Sequence, residues 1–100
     1  MTSEDSITIS WTDRAQTAFD EVLRYISRRD SAAAVRLGDQ LIQGVELLRD
    51  MPRLGRETDP QRGLRRLVVG QWTVVYRCEK QEVTIVVVAW GKTRPQDTTE

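Results

Sequence analysis

Arginine carries nearly all of the positive charge in this 100-residue chain, and it is concentrated. Between residues 49 and 66 stand Arg49, Arg53, Arg56, Arg62, Arg65 and Arg66 against only Asp50, Glu57 and Asp59. Arg77 follows on the next apolar run, and Lys92 and Arg94 lie just past Trp90. A guanidinium is a planar fork suited to bidentate contact with carboxylate or phosphate, so the pattern points to recognition of an anion. Catalysis is less well supplied. The absence of histidine removes the usual general base near neutral pH, the Ser-His and Cys-His nucleophile pairs and most zinc sites. Gly55, Gly63, Gly70 and Gly91 stand singly, so there is no glycine-rich phosphate loop and no dinucleotide fingerprint. Asp13, Asp20, Glu21, Asp39 and Glu46 fall at helix-surface spacing rather than as a catalytic pair. No cofactor or metal is expected, and any enzyme made from this chain has to work with Arg, Lys, Glu or Tyr.

The arginines must be held by something, and the runs around them read as strands. Leu64 to Val69, Trp72 to Cys78 and Glu82 to Trp90 are rich in β-branched and aromatic residues, with turns at Gly70-Gln71 and Glu79 to Gln81. Such short connections force antiparallel neighbours. Alternation puts Trp72, Val74, Tyr76 and Cys78 on a core face and Thr73, Val75 and Arg77 on an open one. Arg65 and Arg66 are adjacent, so at most one of them shares that open face. Val83 to Ala89 shows almost no alternation, as a strand covered on much of both faces would. Trp11, Trp72 and Trp90 read as packing residues, with Trp90 at the strand exit also placed to line a binding edge.

Two amphipathic helices precede the sheet. Thr12 is a candidate N-cap ahead of a stripe of Ala15, Ala18, Phe19, Val22, Leu23 and Ile26, with Arg14, Asp20, Glu21, Arg24 and Arg28 opposite. Asp30 or Ser31 caps a second helix with the stripe Ala34, Leu37, Leu41, Val45 and Leu48, ended near Met51 by Pro52. Gly38 and Gly44 each weaken it by roughly 1 kcal/mol relative to Ala, which marks them as points of close approach. Ile7 to Trp11 alternates as a short edge strand. The fold class is therefore α+β: an N-terminal strand, a helical hairpin, then a three-stranded antiparallel sheet, in the order β-α-α-β-β-β. The stretch from Arg53 to Arg62 reads as a loop, and residues 1 to 6 and 95 to 100 as frayed ends.

Composition bounds the rest. With 39% hydrophobic residues the chain makes one small domain over 1–100, its ordered core at about 7–94. Its 15 basic and 15 acidic residues cancel, which argues against a protein held to nucleic acid by bulk charge. No run suits a membrane span or a signal peptide, and Cys78 has no partner for an internal disulfide, so a cytoplasmic protein with a buried reduced thiol is expected.

Taken in order, Ile9-Ser10-Trp11-Thr12, the helical hairpin, Met51-Pro52-Arg53-Leu54-Gly55-Arg56, Gly63-Leu64-Arg65-Arg66-Leu67, Trp72-Thr73-Val74-Val75-Tyr76-Arg77 and Ala89-Trp90-Gly91-Lys92 resemble the RelE/ParE superfamily of toxins from type II toxin-antitoxin systems. The resemblance spans about residues 7 to 94. It implies a toxin neutralised by a cognate antitoxin, a partly disordered chain that folds against it in a hetero-oligomer. RelE-like members cut messenger RNA in the ribosome with basic residues on the sheet, often with a late tyrosine or histidine; ParE-like members share the fold and poison DNA gyrase. Here the position matching a RelE-like middle-strand arginine is Thr73, the residue after the Gly-Lys pair is Thr93, and no tyrosine or histidine follows Tyr76. The resemblance thus implies a ParE-like gyrase inhibitor with Arg65, Arg66, Arg77, Trp90, Lys92 and Arg94 as target or antitoxin contacts. The alternative is a RelE-like mRNA endonuclease acting on the ribosome.

Overall fold

The computed structural model describes residues 6–91. The first strand, β1 (Thr8–Trp11), leads through Thr12 into α1 (Asp13–Ser27). Thr12 is the cap the sequence predicts: its Oγ1 accepts the Ala15 N–H at 3.1 Å, and Asp13 lies in the positive first turn. Asp30 does the same for α2 (Ser31–Glu46), accepting the Ala33 N–H at 3.0 Å. A 3₁₀ turn over Leu47–Arg49 extends α2 towards Met51. Four further strands follow: β2 (Arg56–Asp59), β3 (Leu64–Val69), β4 (Trp72–Glu79) and β5 (Glu82–Trp90).

The sheet therefore has five strands, in the order β1-β5-β4-β3-β2. Its antiparallel part holds one strand more than expected, because Arg56–Asp59 pairs with β3 instead of looping free. The first strand sits at the opposite edge and pairs parallel with the last, Thr8 opposite Glu82 and Trp11 opposite Ile85.

Register assigns the faces. Trp72, Val74 and Tyr76 of β4 pair with Trp90, Val88 and Ile85 of β5, and all point at the helix layer, where Leu41, Val45 and Leu48 meet them. Trp72, Tyr76, Leu41 and Leu48 have no exposed surface. Burying each such side chain stabilises the fold by roughly 1.5–3 kcal/mol. An aromatic chain ties the layers together, with ring centroids 5.5 Å apart for Trp11 and Phe19, 5.3 Å for Phe19 and Trp72, and 5.1 Å for Trp72 and Trp90. Both helical glycines lie at close approaches. A Cβ on Gly38 would stand 3.2 Å from Leu23, and one on Gly44 only 2.6 Å from Val69.

The missing alternation in β5 has a specific cause. Val75 pairs with Val87 but Tyr76 with Ile85, so Val86 is an extra residue in a β-bulge. The bulge switches parity, which lets Val83, Ile85, Val88 and Trp90 all face the helices. Thr12 is bonded there too, its N–H donating to the Ile85 carbonyl at 3.0 Å and its hydroxyl to that of Val86 at 3.4 Å. Helix α1 thus starts beside the bulge, where β1 has stopped. Cys78, expected buried, is partly exposed and free. The ends expected to fray lie outside the described residues, apart from Ser6.

Candidate functional site

The face of the sheet away from the helices carries the arginines. Leu64 pairs with Arg77, Arg66 with Val75, and Arg56 of β2 with Arg66, so Arg56, Arg66 and Arg77 share it with Val75 and Val87. Neither ion pair among the described residues involves any of the three arginines. The Arg66 Nε is buried and has no hydrogen-bond partner among the described residues.

Beside them a groove of about 590 Å³ runs between α1 and the β2–β3 corner. Val75, Val86, Val87 and Leu64 line it with aliphatic surface, Arg14 and Ala18 of α1 flank one side, and Thr58, Asp59 and Arg62 the other. The corner is held locally, with the Arg62 N–H donating to Asp59 Oδ1 at 3.2 Å and the two side chains 3.6 Å apart as a solvent-exposed pair. Asp59 is the one carboxylate lining the groove among the described residues. The face offers fixed cations and an apolar floor. Among the described residues the groove holds no base and acid set to move a proton between them.

Arg65 is on the other side of the sheet. It pairs with Tyr76, and its Nη1 donates to the Gly55 carbonyl at 2.8 Å and the Arg53 carbonyl at 3.4 Å. Tyr76 is buried beside it, its hydroxyl donating to the Pro52 carbonyl at 2.8 Å and accepting the Gly55 N–H at 2.9 Å. Burial pushes the Tyr76 phenol above its ordinary value, while the Gly55 bond and the Arg65 charge pull the other way. The phenol stays protonated near neutral pH and serves as a clamp on the loop.

Of the other expected contacts, Trp90 is 42% exposed and edge-on to Trp72, so it both packs and shows surface at the end of β5. Lys92 and Arg94 fall outside the described residues. The open face is less open than the alternation implies, since Thr73 is fully buried and Val75 is 7% exposed. The Thr73 hydroxyl donates to the Gly91 carbonyl at 2.6 Å. Arg14 and Arg62 line one groove, a neighbourhood that residue order does not reveal; the pairing of β2 and the bulge in β5 bring them together.

Comparison with known proteins completes the description. The profile of the family described as ParE toxin of type II toxin-antitoxin system, parDE, matches residues 9–95. No curated protein matches the chain. Among solved structures, the chain superposes on the chromosomal ParDE toxin-antitoxin system from P. aeruginosa with a TM-score of 0.73 at 16% identity, covering 88% of this chain and 99% of that one. It superposes on the toxin-antitoxin complex RelBE2 from Mycobacterium tuberculosis with a TM-score of 0.51 at 22% identity, covering 85% and 91%. At such identities the two structures speak for the fold.

Proposed function

The chain belongs to the ParE toxin family of type II toxin-antitoxin systems, and from that premise we propose that it arrests growth by inhibiting DNA gyrase until a cognate antitoxin neutralises it. The observation that carries this reading is the state of Thr73. Cleavage of RNA by its own 2′-hydroxyl needs positive charge at the scissile phosphate together with a base and an acid. At the middle-strand position where a RelE-like site has an arginine, this chain has a buried threonine whose hydroxyl is committed to Gly91. A guanidinium is a donor without an acceptor site, so the arginines around it are poorly suited to serve as the base. Cations beside an aliphatic groove suit contact with a protein surface better than chemistry on a phosphodiester.

The test is supercoiling by purified gyrase with the toxin added. Inhibition with accumulation of cleaved DNA is the expected result; full supercoiling activity at toxin excess would sink the proposal. Mapping ribosome-bound transcripts after induction covers the RelE-like alternative, which requires cuts within codons. Filamentation with DNA damage on induction is expected, and immediate loss of protein synthesis would point to the ribosome.

A further inference from the structure

We propose that the turn joining α1 to α2 is a contact for single-stranded nucleic acid, with Arg24 and Arg28 on the phosphates and Tyr25 stacked against a base. The surface belongs to the helix layer rather than to the arginine-bearing face of the sheet, and the inference does not depend on the toxin's target. Tyr25 is 57% exposed, more than any other aromatic side chain among the described residues, and takes no part in the core. The Arg29 guanidinium lies over its ring, 4.9 Å from the centroid, and fixes it in place. Arg24 and Arg28 stand one helical turn apart, about 6 Å along the axis of α1. All three arginines are exposed, and neither ion pair among the described residues involves them. Between residues 22 and 31 they face Asp30 alone, with Glu21 just before. The carboxylate of Asp30 is engaged as the cap of α2, accepting the Ala33 N–H, and that of Asp20 accepts the Gln16 amide at 3.2 Å.

The helix dipole favours cations at the end of α1, which accounts for their sign and not for an exposed ring set among them. Like charges four residues apart repel weakly, a cost that bound phosphates reverse. Beside the arginines a shallow groove of about 570 Å³ runs between the two helices, lined by Arg24, Ser27, Arg28 and Ser31 over Leu23 and Val35. Serine hydroxyls and guanidiniums are both ordinary donors to phosphate oxygens. A basic track next to an aromatic platform is the composition that holds single strands without reading their sequence. A duplex brings the same phosphates but keeps its bases inside the stack, where Tyr25 has nothing to meet. An acidic peptide satisfies the arginines and leaves the ring and the hydroxyl-lined track without a role. Since the chain as a whole has no net charge, the contact is local and its salt dependence shallow.

The experiment titrates the full-length chain into fluorescently labelled single strands of one mixed sequence, as DNA and as RNA, and reads anisotropy across a salt series. Binding of either supports the assignment, and the tighter of the two names the source. Two phosphate contacts predict a slope of about −1.4 in log affinity against log salt. Arg24→Gln and Arg28→Gln are each expected to make it shallower by about 0.7. Tyr25→Ala is expected to weaken binding by about tenfold with the slope unchanged, while Tyr25→Phe, which keeps the ring, binds as the wild type does. Lys80→Gln on the β4–β5 turn removes the same charge elsewhere and is expected to alter neither reading. An unchanged midpoint of urea unfolding confirms that each variant is folded. Equal losses for Lys80→Gln and Arg28→Gln, with no effect of Tyr25→Ala, would reduce the contact to general charge and overturn the proposal. Absence of binding at low salt would overturn it too, as would a duplex or an acidic peptide that binds this turn more tightly than either single strand.

Discussion

The phenolic oxygen of Tyr76 accepts the backbone N–H of Gly55 at 2.9 Å, locking the loop after the helices against the middle of the sheet. The same hydroxyl donates to the Pro52 carbonyl, and there is no room for a side chain on Gly55, whose Cβ would lie 2.9 Å from that oxygen. Tyr76→Phe removes both bonds and leaves two backbone groups unsatisfied. The expected loss of stability is about 1–3 kcal/mol, read from the midpoint of urea unfolding; an unchanged midpoint would show the clamp to be idle.

Alkaline pH tests the same group. Tyrosine is neutral when protonated, and its value in the folded protein lies above the ordinary 10.0, so folding favours the protonated phenol. Its stabilisation is complete below pH 10 and is lost as pH rises through the folded-state value. Stability measured from pH 8 to 11.5 should fall at the alkaline end in the wild type, with a shallower fall in Tyr76→Phe. Parallel curves for the two proteins would contradict the assignment.

Gly44→Ala sets two effects against each other. Alanine favours the helix by about 1 kcal/mol, yet its Cβ would meet the Val69 methyl groups at 2.6 and 2.8 Å. Overpacking of this kind costs about 1–3 kcal/mol, so the variant is expected to be less stable. Adding Val69→Ala should recover part of the loss, and a double-mutant cycle by chemical denaturation measures the coupling.

Thr73 separates structure from activity. Thr73→Val keeps the shape and removes the hydroxyl bonded to Gly91, at a cost of about 1 kcal/mol. Gyrase inhibition by the folded variant should match the wild type. A drop of two orders of magnitude in potency without unfolding would mean that the hydroxyl takes part in function.

Much of this architecture could be read from residue order. Thr12 and Asp30 announce their helices by type and position, Gly38 and Gly44 sit where packing demands, and parity alone puts Arg66 or Arg65, but not both, beside Arg77. Three features were hidden for physical reasons. Arg56 to Asp59 has weak strand propensity and becomes a strand only by pairing with β3. The run Val83 to Ala89 is apolar at nearly every position, so no periodicity betrays the bulge at Val86. Arg65 and Arg66 look alike in sequence, yet one bonds loop carbonyls under the sheet and the other keeps a donor on its far face that is unpaired among the described residues. Alternation tells that they part company, and only register against Tyr76 and Val75 tells which goes where.

The parallel ladder between β1 and β5 constrains when the protein can become itself. Thr12, which caps α1, is tied to the Val86 carbonyl across 74 positions of chain. Contacts this distant in sequence close late, because the intervening loop must first be ordered. During synthesis the N-terminal strand and the start of α1 have no sheet to join until β5 has been made. A fragment ending at Lys80 is expected to lack dispersed amide resonances, and a cooperatively folded one would refute this. Completion of the sheet is thereby deferred until β5 has been synthesised, and the strand made first waits on the strand it pairs with.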